Sequence, residues 1–272
     1  MKIFNNKKNG IHLFAHFRNE EYLLPWWCEH HKNKFDGATL INYHSTDRSV
    51  EIIKDICPKW KIVNTENSHF VFKPTDQEIM YYEAKIKNKF KICLNITEFI
   101  LFKKDFLEKL IKLDGDLKEQ YIFEFNLGIK RYTMVDENPK VLPTYDDALI
   151  NQKTWGFTGH NPYNFDYRFL HNGVTGQYSQ GRHVSRFEDS KFASEKKLTV
   201  DVADAVILWY GYSPWNKQII DRKLKVKELI HNKQFEMGHG TYHLFNKDNM
   251  FDVYNAFYRR SIDLKKHIVK LS

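Results

Sequence analysis

The sequence predicts an α/β fold, a Rossmann-like mixed, mostly parallel sheet with flanking helices, and two observations carry that expectation. Short apolar runs alternate with helical segments through residue 95, a pattern that calls for parallel strands joined by right-handed crossovers. Three of those runs end in polar clusters: Arg18-Asn19-Glu20, His44-Ser45-Thr46-Asp47 and Asn95-Thr97-Glu98. Ligands of such sheets bind outside the carboxyl ends of the strands. Three polar clusters in the same register therefore argue for a site.

The elements follow in order. "IHLFAHF" (11–17) is a short apolar strand, and "EEYLLPWWCEHHKNK" reads as a helix with Pro25 near its first turns. "FDGATLINYHSTDRS" holds a second strand and then a polar loop. "SVEIIKDIC" spaces Val50, Ile53 and Ile56 on one helical face. "WKIVNTE" is a third strand, "TDQEIMYYEAKIKNK" a helix capped by Thr75 or Asp76, and "FKICLNI" a fourth strand. "YIFEFNLGIKRYTMV" (121–135) reads as a strand or hairpin, and residues 136–200 as loop-rich. "DAVILWYGYS" is another strand; "WNKQIIDRKLKVKELIH" and "DNMFDVYNAFYRRSIDLKKHIVKL" are amphipathic helices. No repeat or linker divides the chain. We read one domain over 1–272, with a nucleotide-binding half (1–102), an acceptor and catalytic half (103–245) and a carboxyl-terminal helix (246–272).

Composition narrows the function classes. At 272 residues with 42% hydrophobic and 28% charged residues, the chain can bury a sizeable core. The net charge of +8 attracts phosphates, nucleic acid or anionic lipid without choosing among them. No dense Lys/Arg block is present, which argues against a nucleic-acid partner. Cys28, Cys57 and Cys93 lie far apart with no C-x-x-C spacing, so a reducing compartment is expected. "MKIFNNKKNG" has no apolar core of a signal peptide and no run spans a bilayer, which predicts a cytoplasmic protein. Peripheral membrane contact through the basic, aromatic last helix stays open.

"RNEEYLLPWWCEHH", "INYHSTDRSVEII" and "KICLNITEFI" together resemble the family 2-type glycosyltransferases with an A-type fold. The nearest branch reads roughly R-N-E, then N-x-S-x-D, then D-x-D-E-F. The resemblance covers about residues 11–102, and the later "GRH" and "ILWYGYS" match more loosely. It implies that Arg18, Asn19, Glu20 and Asp47 hold the nucleotide of a sugar donor. Carboxylates there can accept from ribose hydroxyls and base N–H groups. Read from the residues alone, Asp47 and Ser45 could equally cap the helix that starts near Ser49.

In the family, D-x-D carries a divalent cation that neutralises the diphosphate leaving group. Aligned on Glu98-Phe99, this chain has Asn95 and Thr97 at the two aspartate positions. Trp209 stands where relatives place a histidine near the late strand. Neutral oxygens are poor ligands for a hard cation. Three readings follow: a transferase needing no metal, with Lys, Arg or His supplying the charge; an altered Mn²⁺ or Mg²⁺ site using Glu98 with His239 or His243; or a catalytically inactive module. We favour metal independence, with no cofactor required and with Asn95 and Thr97 among the donor-binding residues.

Arg182 and His183, in the Gly-flexed stretch "GQYSQGRHVSRF", are the catalytic cation candidates. Lys217, Arg222 and Lys223 could reach the same pocket, although a solvated helix face is the plainer reading. The base that deprotonates the acceptor would be Asp166 or Glu98, with His171 as a third candidate. Trp155, Phe165, Tyr167 and Tyr178 could form a platform for a sugar ring or simply belong to the core. The expected activity is transfer of a sugar from a UDP-, GDP- or dTDP-sugar to a hydroxyl of a glycan or lipid-linked acceptor. The rivals are an inactive nucleotide- or sugar-binding module and a nucleotidyltransferase. The latter should carry a Gly-rich loop after the first strand, and "HFRNEEYLLPWW" has no glycine.

Overall fold

The computed structural model describes residues 10–68, 70–136, 154–157, 167–178, 180–182, 198–199, 204–230, 232, 236, 244, 246–259 and 261–263. The amino-terminal half alternates as expected: β1 (Ile11–Phe17), α1 (Leu24–His31), β2 (Gly37–Asn42), α2 (Ser49–Ile56), β3 (Lys61–Asn64), α3 (Phe72–Glu83) and β4 (Phe90–Cys93). There follow β5 (Glu98–Phe102), α4 (Phe106–Glu119), β6 (Asn126–Asp136), β7 (Thr154–Phe157), β8 (Tyr167–His171), β9 (Leu198–Thr199) and β10 (Ala205–Trp209). The chain continues with α5 (Lys217–Leu229), α6 (Lys247–Arg259) and β11 (Ile262–Asp263).

The main path of the mixed sheet runs β11-β7-β6-β8-β4-β1-β2-β3, with β10 bridging β5 and β6, and β9 beside β6. β1 is parallel to both β2 and β4, and β2 is parallel to β3. The antiparallel pairings begin at β4–β8 and continue through β6–β8 and β6–β7. β6 is one long strand, not a hairpin. Its first half pairs with β8 and its second half with β7 and β10, which swings the sheet round toward β5.

Alternation along β1 separates two apolar layers. Ile11, Leu13, Ala15 and Phe17 join the larger core with Leu24, Trp27 and Ile53 of α1 and α2, while Phe14 packs with Ile41, Ile79 and Cys93 on the α3 side. His12 and His16 share the α3 face with Phe14 by the same alternation. A third cluster holds Val135, Tyr212 and Tyr254, with Trp209 and Trp215 packed against it. The three cysteines are buried and free. Among the described residues no helix is long and apolar enough to cross a membrane.

Two boundaries differ from the sequence reading. α3 starts at Phe72 without a side-chain cap, and Thr75 and Asp76 lie inside it, both buried. Thr75 Oγ1 donates to the Val71 carbonyl at 2.8 Å, and the Asp76 carboxylate turns to the segment at Gly181-Arg182. A tertiary partner thus takes the carboxylate that would otherwise cap. The last helix stops at Arg259, and Ile262-Asp263 pairs with β7.

Candidate functional site

The loops after β1 and β2 are sewn together by short polar side chains. The Asn19 amide donates to Ser45 Oγ at 3.1 Å, and Asn19 Oδ1 accepts from the Thr46 amide at 2.8 Å. Asp47 accepts from the amides of Glu21 and Ser49, each at 3.0 Å, so its two oxygens tie the first loop to the start of α2. Asn19 and His44 turn through the left-handed region, φ 51° and 54°, which Asn tolerates better than most residues. The Glu20 carboxylate is grasped by Arg222 of α5, with Nε at 2.6 Å. Arg18, Asn19, Glu20 and Asp47 are thus brought to one corner. Of these, Arg18 keeps a buried Nε with no acceptor.

On the α3 face of β1 lies a second polar group. Glu78 Oε2 accepts from Tyr43 Oη at 3.0 Å and Thr65 Oγ1 at 2.8 Å, and sits 3.9 Å from His16 Nε2. Neither ring nitrogen of His16 has a hydrogen-bond partner, although both are buried. Burial, and then the Arg182 guanidinium, hold His16 well below its ordinary value, so the ring is neutral at pH 7.

Arg182 follows a turn at Gly181 (φ 74°) and itself has φ 59°, a conformation that costs a non-glycine residue about 1 kcal/mol or more. What holds it there is a set of fixed bonds. Arg182 Nη1 donates to Asp76 Oδ1 at 2.8 Å and Nη2 to Asn95 Oδ1 at 2.9 Å, while the Gly181 amide donates to Asp76 Oδ2 at 2.8 Å. Its Nε is buried without a partner. Burial alone would disfavour the charge, but the acidic groups around it, Asp76 and Glu98 among them, hold the guanidinium above its usual value. Arg182 is only 6% exposed and remains cationic.

Glu98 is fully buried and receives two arginines. Arg168 Nε donates at 2.9 and 3.0 Å to its two oxygens, Arg131 Nη1 donates to Oε1 at 3.0 Å, and the Asn95 amide donates to Oε2 at 2.8 Å. Burial would raise the Glu98 carboxyl, but Arg168 and Arg131 outweigh it and hold it below the usual carboxylate range. With its lone pairs so engaged, Glu98 is the anchor of an arginine cluster, and a proton or a metal would have to displace a guanidinium to reach it. Thr97 Oγ1 accepts from the Trp209 indole N–H at 3.0 Å, and Arg131 lies 4.7 Å from the Trp209 ring centre.

The divalent cation that the resemblance implies can be tested against this donor set. Asn95 Oδ1 is occupied by Arg182, Thr97 Oγ1 by an indole N–H and Glu98 by two arginines. Among the described residues no group of three His, Cys, Asp or Glu is gathered. These residues do not fit a hard cation, which needs carboxylate oxygens free of other cations.

Asp166, His183, Phe165, His239 and His243 lie outside the described residues, as does the side chain of Trp155. His171 and Tyr178 are both bonded to the buried Glu83, at 3.2 and 2.6 Å, which gathers them in one buried cluster. Sequence reasoning missed His16, Arg131, Arg168 and the partner role of Asp76. The available signal was a lone Arg inside each apolar strand, "LGIKRYTM" and "YRFLH", since a charge there must find a buried partner.

No protein-family model matches the chain, and no curated protein does. Three crystal structures of TarS from S. aureus are similar to it in part. Residues 1–349 of TarS match at a TM-score of 0.39 and 15% identity, over 60% of this chain and 47% of that one. A longer TarS structure gives 0.34 and 18%, over 50% and 23%; the 1–349 form in complex with UDP gives 0.34 and 17%, over 50% and 38%. The chain thus spans less than half the length of each of these TarS structures. Likeness at this level carries no weight for function, which has to be read from the side chains themselves.

Proposed function

We propose that the chain is a glycosyltransferase that takes a sugar from a nucleotide-sugar donor and passes it to a hydroxyl of a glycan or lipid-linked acceptor, without a metal ion. One observation carries the reading. At the carboxyl ends of the strands the neutral Asn95 and Thr97 are bonded to Arg182 and Trp209, while Arg182 and Arg18 each keep a buried Nε without a partner. Buried donors are rarely left unpaired, so an anionic, hydrogen-bonding ligand is the natural complement of this corner.

In this reading the nucleotide lies over the corner sewn by Asn19, Glu20 and Asp47, and Arg18 and Arg182 face its diphosphate. As the acceptor oxygen bonds to the anomeric carbon, the bond from that carbon to the diphosphate oxygen breaks. Fixed guanidinium groups stabilise the charge that develops, at no cost in reorganisation. The acceptor proton goes to a carboxylate. Glu98 is held by two arginines, which leaves Asp166 as the acidic candidate; His183 beside Arg182 is a further cation for the leaving group.

A second reading is favoured by the same commitments: Glu20, Asp47 and Glu98 are all bonded within the protein, as suits an inactive nucleotide-binding module. A thermal-shift panel of UDP, GDP and dTDP, followed by assay of nucleoside diphosphate release from the matching sugars, separates the two. The transferase reading expects one nucleotide to raise the melting temperature by several degrees at saturation, with release from its sugar. Binding without release supports the module, and no binding by any of the three contradicts both.

A further inference from the structure

We propose that Lys223, caged by Trp209 and Tyr212 beside the Asn95–Glu98 loop, is an anion subsite that takes a phosphate group of the ligand. That this phosphate belongs to a nucleotide-sugar diphosphate rests on the reading above; that the site takes phosphate does not.

The helix α5 carries several basic residues; Lys217 and Lys225 are exposed, whereas Arg222 turns in to Glu20. Lys223 is turned inward and is 9% exposed. Its Nζ lies 4.2 Å from the centre of the Tyr212 ring and 5.2 Å from that of Trp209. A cation on a largely buried side chain calls for acceptors, and among the described residues none accepts from the Lys223 ammonium. Aromatic faces supply only a weak attraction in their place. The carboxylates of this region are already taken, Glu20 by Arg222 and Glu98 by Arg131 and Arg168. Lys223 is therefore a cation among cations. Burial, then Arg222 and Arg131, lower its pKa to about 7.

Such an amine is short of one thing, an anion, and Trp209 shows where it would lie. The same indole that flanks Lys223 donates to Thr97, two residues from the Asn95 that Arg182 holds. Arg182 and the Arg131–Lys223 group thus approach one loop from two directions. Closely spaced positive groups suit a multiply charged phosphate better than a single carboxylate. Binding it would also draw a proton onto Lys223. The ionisable groups around the amine are Arg222 on its own helix, Arg131 on β6, the paired Glu20 and Glu98, and Tyr212; of these, Lys223 is the group poised near neutrality.

The test is calorimetric titration of the full chain with inorganic pyrophosphate and, separately, with UDP, in EDTA at pH 7.5 in two buffers of different ionisation enthalpy. Wild type should bind pyrophosphate with uptake of a fraction of a proton beyond what the ligand itself exchanges. Lys223→Met should weaken that binding about tenfold or more. Lys223→Arg, always charged, should bind it yet lose the proton uptake. Pyrophosphate affinity unchanged in Lys223→Met, uptake unchanged in Lys223→Arg, or no binding by wild type would overturn the subsite. Should the methionine variant not fold, the uptake by wild type and its loss in the arginine variant decide alone. Lys223-dependent binding of pyrophosphate with no binding of UDP, GDP or dTDP would uphold the subsite and sink the nucleotide reading. UDP binding that is indifferent to Lys223 would do the reverse.

Discussion

Arg182 Nη2 donates to Asn95 Oδ1 at 2.9 Å, so a guanidinium occupies the first polar side chain of the loop between β4 and β5. In the family that the sequence resembles, a carboxylate at that position would face a divalent cation. Here the positive charge is covalently part of the chain. It is fixed from behind by Asp76, which accepts from both Arg182 and the Gly181 amide.

Under the proposed transferase reading Arg182 has a catalytic role besides the structural one its bonds show, and a pair of variants separates the two. Arg182→Ala should lower turnover a hundredfold or more, on the order of 3 kcal/mol of lost transition-state stabilisation. It should also cost stability, since Asp76 is left buried without its guanidinium. Asp76→Asn should lower the melting temperature but keep turnover within about tenfold, because the cation stays near Asn95. Equal losses of turnover in the two variants would reduce Arg182 to a structural residue.

For Glu98 the expectation is loss of stability. Glu98→Gln leaves Arg168 and Arg131 without their shared counter-charge in a buried site, a change of the kind that costs about 3–5 kcal/mol. Urea denaturation measures it. A variant as stable as wild type but without turnover would return Glu98 to the role of base.

Much of this architecture could be read from the chain itself, because β1 to β4 obey a single rule, apolar strand and amphipathic helix in turn. The later elements follow no such rule. β6 and β10 were legible as apolar runs, but β6 changes partners along its length and β5 and β10 meet only through tertiary pairing, so local pattern does not announce which strands they join. In the site, polar clusters at strand ends were legible because loops there stand out against apolar strands. The pairing of Glu98 with Arg131 and Arg168 joins residues far apart in sequence, and that of Asp76 with Arg182 spans more than a hundred. Asp76 looked like a helix cap because capping is the commonest use of an Asp near a helix start. Only the tertiary partner reveals the other use.

Asp47 illustrates the opposite case, in which the plain local reading and the functional one share a residue. Asp47→Ala removes the acceptor of the Glu21 and Ser49 amides and should cost about 1 kcal/mol of stability. Its effect on nucleotide affinity should come through loosening of the Arg18-Asn19-Glu20 corner. Asp47→Asn, which keeps an acceptor oxygen, should then recover most of the affinity. Failure of the asparagine variant to recover it, in titration calorimetry, would point to direct contact between the carboxylate and the nucleotide.

Buried histidines set an acid limit. Burial lowers His16 and His31 well below 6.5, His12 to about 4 and His30 to about 3. As pH falls through 6.5 the unfolded chain takes up protons at these positions that the folded chain does not. Stability should therefore fall steadily from pH 7 toward 5. Urea midpoints across that range test it, and a flat profile would mean that the rings are solvated.

The central claim is that protein cations do the work of a metal, and sugar transfer or donor hydrolysis in excess EDTA tests it most directly. The account predicts turnover that persists in EDTA, with nucleotide affinity that weakens as salt rises, since fixed charges carry the interaction. Complete loss of turnover in EDTA, restored by Mn²⁺ or Mg²⁺, would contradict it.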